Sequence, residues 1–327
     1  MIRESLVITN MRNYIIKRFL LAIPVLLLVS IIVFIVIRLI PGNIIDLMSV
    51  DQGSLSQMDR AKIEQVLGLD KPFLTQYGIW LGDIVLHGNL GNSLWDKLPV
   101  ADKIITRWPV TLELGILSLI LSQLIALPIG VYSALRQDTV GDYLGRSFAI
   151  MCVAVPSFWV ATMLIVFPSI WWGWSPPLSI IPFNQDPIGN LKMFILPAIV
   201  LAMSMAGMTM RMTRTMMLEV LRQDYIRTAW AKGLRERVVV VRHALKNALI
   251  PVITVIGMGV PTLIGGTVIV ENIFSLPGMG QLIIQATQTR DYTLVSGVIL
   301  FFGAILVIIN LVVDLTYGFL DPRITYK

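Results

Sequence analysis

The sequence predicts an all-α integral membrane protein with six transmembrane helices and with both termini cytoplasmic. Composition is the first reason: 56% of the 327 residues are hydrophobic and only 14% are charged, against about 25% charged in a soluble domain. Mean hydropathy is +0.78. A soluble surface with so few charges would leave large apolar patches against water, so the solvent has to be lipid. The second reason is a set of long apolar runs with few or no charges, each near the ~20 helical residues that cross a ~30 Å hydrocarbon core. The third is the uneven placement of Lys and Arg on alternate sides of those runs.

The elements follow in order. Residues 1–18 form a basic tail, and the first span, 19–40, carries a single charge, Arg38, near its end. A signal peptide would have a shorter apolar stretch and a small-residue cleavage site; this run leads instead into Arg38-Leu-Ile-Pro-Gly42 and stays as an anchor. Residues 41–109 have ordinary polarity and form an extracytoplasmic domain, in which 57–68 reads as a helix stopped by Gly68. That domain is either a solvated cap or a docking surface for an extracytoplasmic partner.

The second span, 110–135, holds one charge, Glu113, and a cytoplasmic loop, 136–146, precedes the charge-free third span, 147–174. Residues 175–192 are a connector whose prolines, including Pro187, oppose regular structure. The fourth span, 193–210, leads into the polar segment 211–247, where two short surface helices meet at Gly233, with Leu221, Tyr225, Thr228 and Ala229 on one face. The fifth span is 248–270. Residues 271–291 contain the apolar, turn-rich run Ile273-Phe-Ser-Leu-Pro-Gly-Met-Gly280, and irregular backbone at membrane depth is tolerated only inside protein or along a cavity. We read this stretch, with Phe274, Pro277, Gly278 and Gly280, as a re-entrant segment. The sixth span, 292–318, is charge-free to Val313 and then meets Asp314; residues 319–327 form the second tail.

Orientation follows from 17 basic residues on the side of the two tails against two, Lys192 and Arg290, in the short loops opposite. The seven in the long segment count little, so the tails lie inside. Topology accounts for the net charge of +6 without a nucleic-acid partner. A single cysteine, Cys152, excludes a disulfide framework, and two histidines, His87 and His243, make a metal site a poor guess. No Gly-Lys dipeptide occurs, hence no phosphate cradle of the G-x-x-x-x-G-K-[ST] type, and no H-E-x-x-H, C-x-x-C or G-x-S-x-G is present. The chain is not expected to be an enzyme, and no cofactor is expected in it. An intramembrane enzyme would need a nucleophile constellation that the sequence lacks.

The run Asp224-Tyr-Ile-Arg-Thr-Ala-Trp-Ala-Lys-Gly233-Leu, followed by Arg242-His-Ala-Leu-Lys-Asn-Ala-Leu-Ile-Pro251, resembles the coupling loop of permease subunits of ABC importers, in the dipeptide, oligopeptide and nickel branch. Leu39-Ile-Pro-Gly42, Leu67-Gly-Leu-Asp-Lys-Pro72, Gly88-Asn-Leu-Gly91, Thr111-Leu-Glu-Leu-Gly115, Ile273 to Gly280, Arg290-Asp-Tyr292 and Asp314 to Ile324 are similar to that family in the same order. Arg227 and Thr228 stand where the general importer pattern has Glu and Ala, whereas Ala229 and Gly233 match it.

The resemblance implies a type I ABC importer permease fold in a bacterial inner membrane. It also implies a second homologous permease, two cytoplasmic ATPases that bind ATP and Mg, an extracytoplasmic solute-binding protein, and alternating access. It makes Tyr225, Arg227, Ala229, Ala231, Lys232, Gly233 and Leu234 the ATPase-coupling residues. The translocation path would then be weakly polar, with Ser204, Thr209, Thr254 and Thr262 along it and Glu113 and Asp314 near its edges. Peptide is preferred to nickel because no His or Cys cluster lines the spans. The alternative is a secondary transporter or channel without ATPases, which would carry an inverted repeat or a mid-membrane acid.

Overall fold

A computed structural model describes residues 2–39, 71–177 and 180–320. The expected helix at 57–68 lies outside the described residues. Among the described residues the regular structure is helical, joined by turns and connectors, with one isolated antiparallel bridge, Asn92 with Pro99. The helices are α1 (Ile2–Leu39), α2 (Phe73–His87), α3 (Val100–Leu135), α4 (Val140–Ala154), α5 (Ser157–Trp172), α6 (Pro187–Leu221), α7 (Asp224–Ala231), α8 (Glu236–Ile273), α9 (Met279–Gln288) and α10 (Tyr292–Leu320). Five of these are long and apolar enough to cross a membrane, and the pair α4 and α5 makes a sixth if counted as one broken span.

That pair differs from the single span expected over 147–174. α4 and α5 meet at 96°. Pro156 has no N–H to continue the helical ladder, and it pushes Val155 into extended backbone, φ −84° and ψ 125°. The expected loop 136–146 is also largely helical, because Thr139 caps α4 by accepting the Asp142 N–H at 3.4 Å. In the connector 175–192, Pro187 begins α6 instead of opposing it. Its missing N–H costs nothing at a first helical position, and Asp186 accepts the N–H groups of Ile188 and Gly189.

The described chain divides into two compact units. One, from Arg107 to Gln281 with both chain ends, is organised around α6. There Phe194, Ala198, Leu201 and Met205 meet Leu114 of α3, Ala161 of α5 and Leu263 and Val270 of α8. Ala206 and Met210 meet Ala126 of α3 and Ala149 and Cys152 of α4, a seam of small residues that lets helices approach closely. Asp142, fully buried at the start of α4, accepts two hydrogen bonds of 2.7 Å from the Arg214 guanidinium of α6, and one from the Ser133 hydroxyl of α3. This pins three helices at one point.

The other unit, described over 13–39, 71–106 and 282–308, holds α1 from Asn13 onward, α2 and the turns that lead into α3 and α10. Phe34 of α1 is ringed by Phe73, Tyr77 and Trp80 of α2, with centroids 5.2 to 5.5 Å away. Asp291, buried, accepts the Ser93 hydroxyl at 2.5 Å and the Leu94 N–H at 3.2 Å, and it caps α10 through the Leu294 N–H at 3.1 Å. Trp95 donates its indole N–H to the Thr289 carbonyl. The runs around Gly88 to Gly91 and Arg290 to Tyr292, distant in sequence, are thus tied into one structure.

Candidate functional site

Residues 211–247 do not form two short helices on a polar loop. α6 continues to Leu221, and the second stretch is the first part of α8, π-helical over Val239–Leu245. A π segment inside a longer helix is uncommon and is often found at functional sites. Only α7 is a free-standing short helix. The break at Arg222 and Gln223 resets its phase, so Ile226 and Ala229 point inward, against Met217, Val239, Val240 and Ala244. Tyr225 and Thr228, expected on the same face as Ala229, are exposed.

α7 is held mainly by that apolar contact. Its polar ties are few: the Asn247 amide donates to the Tyr225 hydroxyl at 2.8 Å, and the Arg227 and Asp224 side chains, both exposed, pair at 3.3 Å. Such an exposed pair stabilises little. Ala229 is small because its own chain approaches it. Tyr225, Arg227, Trp230, Ala231, Lys232, Gly233 and Leu234 make up the exposed rim. Gly233 ends the helix at φ +72°, its N–H donating to the Trp230 carbonyl at 2.9 Å, and the left-handed region favours glycine there.

The turn after α8 is built around Glu271, fully buried. Its Oε1 accepts the Thr111 hydroxyl at 2.7 Å, and its Oε2 accepts the N–H groups of Gly280 at 2.7 Å and Gln281 at 3.3 Å. Thr111 in turn accepts the Met279 N–H at 2.8 Å. The first N–H groups of α9, which have no partner within their own helix, are thereby satisfied by a carboxylate, the charge a helix N-terminus favours. Phe274 and Leu276 are buried beneath the turn and Pro277 is half-buried. A Cβ at Gly278 would collide with the Glu271 carboxylate, and one at Gly280 with the Val268 backbone. Neither Glu271 nor Thr111 stood out in the sequence as a site residue, although each sits at the edge of a stretch similar to the importer permeases.

Of the path residues whose side chains are described, only Ser204 and Thr262 share a cavity. Ser204 of α6 and Thr262 of α8 are exposed and line one cavity of about 390 Å³, with Met205, Met208 and Met258. Thr209 is fully buried, and its hydroxyl has no hydrogen-bond partner among the described residues. It lies five residues from Ser204, about 140° around the helix at ~100° per residue. Thr254 and Glu113 are half-buried and outside that cavity's lining. Asp314 falls within α10, but its side chain lies outside the described residues. Among the described residues that line it, none carries a charged side chain.

Residues 126–326 match the model of the family described as binding-protein-dependent transport system inner membrane component, and residues 11–115 match that of its N-terminal region. The chain belongs to this family. It is similar to the dipeptide transport system permease protein DppB of Escherichia coli (strain K12), 37% identical over 340 residues, covering 97% of this chain and 100% of the relative. It is similar also to the oligopeptide transport system permease protein AppB of Bacillus subtilis (strain 168), 41% identical over 320 residues, with the same coverage. A protein of Brucella abortus (strain 2308), provisionally named a peptide transport system permease protein, is 42% identical over 316 residues, again covering 97% and 100%. Among solved structures, a chain of the inward-facing MetNI methionine ABC transporter shares the fold, with a TM-score of 0.54 at 17% identity over 67% of this chain and 96% of that one. The permease is thus a transmembrane transport component with the type I importer fold.

Proposed function

We propose that this permease is one of two homologous membrane subunits of an ATP-driven importer that carries dipeptides or oligopeptides across a bacterial inner membrane by alternating access. A solute-binding protein delivers the peptide outside, and two cytoplasmic ATPases bind ATP and Mg. The observation that carries this reading is the likeness, over 97% of the chain, to relatives named for dipeptide and oligopeptide transport. The exposed rim of α7, from Tyr225 to Leu234, supports its role as the element that receives motion from an ATPase. A short helix anchored on its inner side by Ile226 and Ala229 can present the opposite side to a partner.

The charge-free cavity beside Ser204 and Thr262 suits a conduit that binds solute weakly. A fixed charge in low-dielectric surroundings would hold one end of a zwitterionic peptide too firmly or repel the other. Selectivity then rests with the binding protein. In the reconstituted transporter, exchanging the binding protein should change which solute is carried, whereas Ser204→Ala with Thr262→Val should leave solute preference unchanged. A preference that follows those two residues under a constant binding protein would overturn the conduit. The basic-residue count supports cytoplasmic termini. Cysteines placed at Asp83 and Lys232, in a Cys152→Ser background, should label from outside and only after permeabilisation, respectively; the reverse pattern inverts the topology.

A further inference from the structure

The segment between the first two spans is not uniformly a water-facing cap. α2 carries a single acid, Asp83, and a histidine, His87, at its far end. At ~100° per residue, Gln76, Asp83 and His87 fall within about 40° of one another, a narrow polar stripe. Beside it, Phe73, Tyr77 and Trp80 pack on Phe34 of α1. The remaining and widest face carries Leu74, Val85 and Leu86, which are 81%, 70% and 78% exposed, with Ile79 at its margin. A helix in water does not present such a face without a partner.

The depth of α2 is set by its contacts with α1. The apolar run of α1 is Arg18–Val36, and the Tyr77 hydroxyl hydrogen-bonds Ser30 at 2.8 Å, six residues inside that run, about 9 Å from its end at 1.5 Å per residue. Half a hydrocarbon core is about 15 Å. At the end of the run the polar stripe meets a polar group, with Arg38 donating to Gln76 at 3.0 Å and stacking on Phe34 at 3.5 Å. Leu28, Ile32 and Val36, on the side of α1 turned away from α2, are exposed as a lipid-facing surface would be. We propose that α2 is an interfacial helix seated in the bilayer leaflet around the C-terminal end of α1, with lipid acyl chains covering its Leu74, Val85 and Leu86 face. This inference rests on α1 spanning the membrane.

The test is collision accessibility of single spin labels in the whole transporter, reconstituted in nanodiscs in a Cys152→Ser background. Labels at Leu74 and Leu86 should collide with oxygen in preference to a water-soluble nickel chelate, as a label at Leu28 of α1 does, while one at Gln185 shows the opposite preference. If Leu74 and Leu86 behave like Gln185 while Leu28 reports lipid, the proposal is overturned. Water-accessible labels that become shielded when the binding protein is added would assign the face to that protein instead. A Leu28 label that itself reports water would remove the membrane reading of α1, and the seat of α2 with it.

Discussion

The α7 helix and the Glu271 turn are both short, irregular pieces of the same compact unit, yet they are held in opposite ways. α7 rests on two apolar side chains, Ile226 and Ala229, and leaves nearly every other group exposed. The turn from Phe274 to Gly280 is organised by one buried carboxylate that accepts from a hydroxyl and two N–H groups. Hydrogen bonds to a buried charge contribute more than neutral ones, and leaving them unmade costs the full desolvation of each group. The difference teaches which piece is built to stay fixed and which is built to be offered to a partner.

The largest effect should come from removing the fixed point. Glu271→Ala strips the acceptor from Thr111, Gly280 and Gln281 in a water-excluded place, at a cost of about 1–3 kcal/mol for each donor left unsatisfied. Intrinsic tryptophan fluorescence during heating in detergent should show a much lower melting temperature. Glu271→Gln, which keeps size and one acceptor, should fall between. A parental melt for the alanine variant would mean that the carboxylate holds nothing.

Gly278→Ala should cost less, about 1–3 kcal/mol, because it overpacks the site instead of emptying it. The two changes are coupled: with the Glu271 side chain gone, the added methyl group has room. The double variant should therefore be less destabilised than the two single losses combined. Strict additivity would show that Gly278 is needed for some other reason.

These contrasts also explain what the sequence could and could not reveal. Lipid as solvent and the apolar runs were legible because they are properties of composition over ~20 residues. The bend at Pro156 was not, since a charge-free run reads the same whether or not the helix breaks inside it. Glu271 was hidden by its position: one residue past the end of the charge-free run at Val270, it reads as the first residue of the segment outside that span, not as part of a packed helix. Only tertiary contact with Thr111, 160 residues away in sequence, shows that it is buried. The inward face of α7 was misassigned for a local reason, because a helical phase carried on from Leu221 does not survive the break at Arg222 and Gln223. For the path residues, hydroxyl side chains in apolar helices look alike in sequence, while only the helix rotation separates Ser204 from Thr209.

On α7, two alanines two residues apart separate anchoring from presentation. Ala229→Leu places three extra carbons against Met217, Val239 and Ala244, and should lower stability by about 1–3 kcal/mol. Amide exchange over 224–234 should rise before the rest of the protein melts, since so small an element opens locally.

Ala231→Leu should have the smallest effect on stability, within about 0.5 kcal/mol, as exposed substitutions away from special features generally do. Ala231 is exposed and sits beside Gly233, so the longer side chain projects from the rim and not into the protein. If the rim is where an ATPase closes around α7, the added bulk stands between the two backbones. ATP-driven uptake should then fall at least tenfold in reconstituted vesicles while melting temperature and membrane insertion stay parental. Uptake that tracks stability, lost in Ala229→Leu and intact in Ala231→Leu, would mean that α7 matters only as part of its own unit's packing, and the contrast between a presented helix and a fixed turn would fail.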